Sequence, residues 1–116
     1  MVSVRLPNYL ISNRRRLALS QEEVAFLLGQ REGSSISRFE SFRRMPDLEE
    51  AIALAIVYDL PIPELFAGVF SRVEREVFSR AKVLSFRVGR RKAAGVATKR
   101  RASIAALLAR GAQVSK

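Results

Sequence analysis

The side chains in this chain that could do chemistry are arginines, serines and carboxylates, because it contains no cysteine and no histidine. Thiolate and imidazole nucleophiles, general bases built on them, and their metal sites are therefore excluded. The adjacent acids Glu22-Glu23 and Glu49-Glu50 read as helix-start charges rather than as a general acid/base pair. Gly33-Ser34-Ser35 lacks the lysine and the spacing of a phosphate-binding loop. No catalytic residue, metal or cofactor is expected. What remains is the binding of a polyanion. Twenty-one Arg and Lys against eleven Asp and Glu give a net charge of +10, and the excess is segregated. Residues 1–66 hold eight basic and nine acidic side chains, and residues 67–116 hold thirteen and two. A segment so basic seeks a polyanion, of which nucleic acid is the commonest and anionic membrane the lesser alternative.

The elements that would position these residues follow from spacing and caps. Pro7-Asn8 starts a first helix over 9–17. Ser20-Gln21-Glu22-Glu23 is a capping box opening a second helix, which runs through Leu28 and stops at Gly29. After a polar stretch, Ile36 and Phe39 share one face of a third helix, and Ser34, Ser37 and Arg38 point elsewhere. Met45-Pro46-Asp47 is a turn and N-cap before Leu48–Tyr58, which is apolar almost all round, as a central buried helix would be. Pro61 and Pro63 end it and begin another helix. Further on, Phe70, Val73, Val77, Ala81, Leu84 and Val88 keep helical spacing, although 83–88 also alternates and leaves a short strand open. Residues 89–97 read as a flexible basic linker, and Thr98 as the cap of a short helix about 98–110, ending at Gly111. The longest apolar run, 51–58, is too short to span a bilayer, and nothing at the start reads as a signal peptide. Together with the missing cysteines, this fits a cytoplasmic, nucleoid-associated protein.

Two helices around a short turn form a geometry that presents the second helix to a DNA major groove. Residues 8–70 resemble the phage Cro/repressor-type (XRE) helix-turn-helix family. The resemblance is carried by Ser20-Gln21-Glu22-Glu23-Val24-Ala25, Leu28-Gly29, Ile36-Ser37-Arg38-Phe39-Glu40, Arg43-Arg44-Met45-Pro46 and Leu60-Pro61-Ile62-Pro63-Glu64-Leu65-Phe66. It implies an all-α fold: a compact, five-helix, lambda-repressor-like domain over 1–70, followed by a basic, mainly helical extension over 71–116. It also implies double-stranded DNA as the partner, with Gln21 on a phosphate at the start of helix two. Gly33, Ser34, Ser37 and Arg38 would fall at groove-facing positions, Arg43 and Arg44 would grip the backbone, and Arg31 is a further DNA-binding candidate. Arg14 and Glu40 match a structural ion pair, and Ala25 a small residue between helices two and three. Three departures stand out. The turn between Gly29 and Ile36 is longer by one residue. Phe42 replaces a frequent glycine, which would let helix three continue into Arg43-Arg44. Phe26 and Leu27 replace polar residues, as if covered by the extension or a second subunit.

The resemblance does not reach the extension. Its Arg90, Arg91, Lys92, Lys99, Arg100 and Arg101 would add sequence-independent affinity by releasing DNA counterions. The resulting expectation is a transcriptional repressor acting as a homodimer on an inverted-repeat operator. The alternative is an antitoxin-type regulator whose extension binds a partner protein.

Overall fold

The computed structural model describes residues 8–89 and 96–114, and these residues contain seven helices and no strand. They are α1 (Leu10–Arg16), α2 (Gln21–Leu27), α3 (Ser34–Glu40), α4 (Leu48–Tyr58), α5 (Ile62–Leu65), α6 (Ala67–Gly89) and α7 (Val96–Val114). The chain divides into two compact units, Met1–Phe70 and Ser71–Lys116.

Capping chemistry fixes where two helices of the first unit, α2 and α4, begin. The Ser20 hydroxyl accepts from the Glu23 N–H at 3.0 Å, and Glu23 Oε1 accepts from the Ser20 N–H at 2.8 Å. Asp47 and Glu50 repeat this reciprocal pair ahead of α4, so each box satisfies two donors that a helix start leaves free. The ends are equally regular. Ala18, Gly29, Phe42 and Asp59 all have left-handed backbone, with φ of 58°, 80°, 64° and 54°. Each follows one of α1 to α4 and closes it with paired hydrogen bonds. After α2 these are Gly29 N–H to Phe26 O and Gln30 N–H to Ala25 O, and after α3 Phe42 N–H to Phe39 O and Arg43 N–H to Arg38 O. This is the Schellman closure, usually made with glycine. Phe42 takes it despite its side chain, so α3 ends at Glu40 and does not continue into Arg43-Arg44.

The core of this unit is Leu10, Val24, Ala25, Ile36, Phe39, Leu54, Tyr58, Leu65 and Phe66, drawn from α1 to α5 and the residue after α5. Helix α4 is not the wholly buried element its composition suggests. Leu54 and Tyr58 are buried, whereas Leu48, Ile52 and Ile56 are exposed.

In the second unit, the part of α6 from Ser71 onward and α7 lie side by side. Phe78 touches Gly111, while Ser85 and Val88 share a cavity with Arg101, Ile104, Ala105 and Leu108, so the helices run antiparallel. Ala81 and Ile104 are the buried large or small aliphatics here. Residues 83–88, open to a strand on their alternation, are helical. Helix α7 starts at Val96 rather than Thr98 and runs through Gly111. Gly111 is buried against Phe78 instead of ending the helix: a Cβ there would lie 2.9 Å from the Phe78 ring. Of the expected linker, 90–95 lie outside the described residues. No helix among the described residues is long and apolar enough to cross a membrane.

Candidate nucleic-acid interface

Helix α3 is sorted cleanly into two sides. Ile36 and Phe39 are buried with Glu40, while Ser34, Ser37 and Arg38 are exposed and Ser41 is half-exposed. Spacings of three, four and seven put 34, 37, 38 and 41 on one row of a helix. The outward side thus offers three hydroxyls and one guanidinium, all groups able to hydrogen-bond base edges or phosphates. Arg38 makes no ion pair among the described residues. Ser41 was absent from the residues singled out by sequence, and continuing the row from Ser34 by seven would have found it.

The buried side is held by a polar lock. Glu40 accepts from Arg14 Nε at 2.6 Å, from Arg14 Nη2 at 3.1 Å and from Gln21 Nε2 at 2.9 Å. Arg14 Nη1 also donates to Leu19 O at 3.2 Å, and Asn8 Nδ2 to Phe39 O at 3.2 Å. One carboxylate therefore ties α1, the first residue of α2 and the end of α3 together, and a two-pronged guanidinium contact fixes angle as well as distance. The hydrogen bond to Glu40 raises the Arg14 pKa despite its burial. Tyr58 lies close enough to sense both charges. Burial, then Glu40, pushes its phenol from 10.0 to about 12.

The other expected contact residues have separate placements. The Gln21 amide N–H2 turns inward to Glu40, and the neighbouring Glu22 and Glu23 are exposed acids, so this helix start is not a bare anion site. Gly33 is buried at the N-cap of α3, where a Cβ would sit 3.2 Å from the Gln21 backbone carbon and the Glu22 nitrogen. Its absent side chain allows α3 to approach α2, on which Ala25 is fully buried. Arg31 and Arg43 are exposed and without an ion pair among the described residues. Arg44 is held back: Nη2 lies 3.3 Å from Glu50 Oε1, and its guanidinium sits 5.4 Å above the Phe39 ring. Glu50 also accepts from Gln30 Nε2 at 2.8 Å. In the second unit Lys99, Arg100 and Arg101 are exposed on the first turns of α7, and Arg90, Arg91 and Lys92 lie outside the described residues.

No cluster of potential metal ligands occurs among the described residues. Residues 10–65 match the family model described as helix-turn-helix, which spans α1 to α5 and the whole of α3. No curated protein and no solved structure matches the chain.

Proposed function

We propose that this protein, whose residues 10–65 belong to the Cro/repressor-type (XRE) helix-turn-helix family of DNA-binding transcription regulators, is a repressor that binds an inverted-repeat operator as a homodimer. The observation that carries the reading is the two-sided α3: Ile36, Phe39 and Glu40 are anchored inside, and Ser34, Ser37, Arg38 and Ser41 face out. Arg38 is the one long donor on that row. Its fork is suited to the O6 and N7 of a guanine, and the three serines supply shorter contacts. Arg31 and Arg43 take flanking phosphates. The Gln21 amide braces Glu40, and Arg44 braces Glu50, so neither is assigned a direct contact. Two such rods related by a two-fold axis would read half-sites about one helical turn apart, and occupying a promoter would block it.

The test is selection of bound sequences from a random duplex pool. The native protein should enrich a symmetric site, and Arg38→Ala should lose preference at one base pair of each half, about 1–3 kcal/mol of discrimination, while keeping non-specific affinity. Equal weakening on every duplex would make Arg38 a phosphate contact, and no enrichment by the native protein would remove the operator reading. A second reading, an antitoxin-type regulator whose extension holds a partner protein, is favoured by the exposure of Val83, Leu84 and Phe86 on α6. Co-purification with a small protein encoded beside it would support that reading.

A further inference from the structure

Helix α4 is apolar around most of its circumference, yet the protein covers only part of it. Leu54 and Tyr58 are buried and Ala51 and Val57 pack on the core, whereas Leu48, Ile52 and Ile56 are 72%, 44% and 74% exposed. Spaced by four, these three form one row about 12 Å long. Single exposed aliphatics are ordinary, but a continuous row on so apolar a helix marks a face awaiting cover.

We infer that this row is the interface with a second copy of the chain, two α4 helices packing antiparallel about a two-fold axis beside Ile52, with Leu48 of each next to Ile56 of the other. The inference deepens the dimeric reading above and rests on it. Three observations select this occupant. The row is self-complementary, with a central aliphatic and a large aliphatic four residues to either side, so it matches itself when reversed, as a two-fold contact requires. Its area is the larger part of what is needed: the exposed parts amount to roughly 350 Å² of apolar surface, against about 450–520 Å² as the apolar share of the ~800 Å² that each partner gives to a standard homodimer interface. Carboxylates need not meet across the axis: in the reversed pairing Glu49 comes level with Ala55, and Asp59 with Met45, of the other copy. The flanking Ala53 and Ala55 are small enough for a second helix to come close.

The test uses the full chain in sedimentation equilibrium over the micromolar range. The native protein should have the mass of two chains, and Ile52→Asp and Ile56→Asp should halve it with an unchanged helical circular-dichroism signal. Because the sequence has no cysteine, Ile52→Cys introduces a single thiol beside the axis, within disulfide reach of its own copy. Mild oxidation should convert it to a covalent dimer, whereas Phe86→Cys, on the exposed side of α6, should form no inter-chain disulfide. This second measurement decides the matter if an aspartate variant fails to fold. A native mass of one chain, a dimer that survives both aspartates, or equal cross-linking at 52 and 86 overturns the interface. Affinity for a random-sequence duplex separates the two readings. A native monomer that binds it leaves DNA binding intact and removes this interface, and a native dimer that ignores it does the reverse.

Discussion

Glu40 concentrates the largest single-residue risk in the protein. It is 4% exposed and accepts from three donors on two other helices. Removing one member of such a pair strands the other, so Glu40→Ala should cost about 3–5 kcal/mol in chemical denaturation. Replacing Arg14 and Glu40 together by aliphatics of similar volume should cost much less. Tyr58, beside this pair, gives a pH signature. Its phenol stays protonated in the folded protein to a higher pH than in the unfolded chain, so its contribution is whole below pH 10.0 and disappears as pH rises to about 12. Denaturation midpoints of the native protein should fall through that window, and Tyr58→Phe should lack this component. A midpoint curve unaltered by the substitution would refute the assignment. The Arg14–Glu40 match was visible in the sequence only through family resemblance, since residues twenty-six apart carry no spacing signal. The inward turn of Gln21 was not visible at all. A polar residue at a helix start looks the same whether it faces a phosphate or a buried carboxylate.

Between residues and the molecule stand the helix ends. Four closures of one kind end α1 to α4, and only Gly29 among them announced itself by residue type. Ala18, Phe42 and Asp59 show that tertiary packing overrides the glycine preference, at about 1 kcal/mol or more each. Ala18 is exposed, so Ala18→Gly should relieve strain and little else, raising stability by about 1 kcal/mol and the melting temperature by about 4–8 °C. The buried glycines predict the opposite sign. Gly33→Ala would press a methyl to 3.2 Å from the α2 backbone, which cannot swing aside. It should destabilise the first unit by about 1–3 kcal/mol and alter the angle between α3 and α2, which on the proposed reading weakens duplex binding at temperatures where the variant is folded. Helix starts were legible because Ser20 with Glu23, and Asp47 with Glu50, write their hydrogen bonds in residue types. Gly111 was misread as an end because a glycine chosen for close approach and one chosen for a left-handed cap are the same letter.

The whole molecule joins a nearly neutral unit that carries α3 to a unit with thirteen basic and two acidic residues, all beyond residue 66. Sequence alone exposed this division, since charge counts need no fold. It could not say whether the positive charge meets DNA, because a solvated tail and a phosphate clamp have the same composition. Counterion release separates them. Each phosphate neutralised contributes about 0.9 to the slope of log affinity against log salt. Lys99, Arg100 and Arg101 are exposed on α7, and changing all three to glutamine keeps good helix formers in place, so the hairpin should persist by circular dichroism. If these side chains contact the backbone, the slope on a random duplex should fall by up to about 2.7, and discrimination between operator and random sequence should widen, because the sequence-independent part of the affinity is what has been removed. An unchanged slope would take these three side chains off the DNA and return them to the solvated reading.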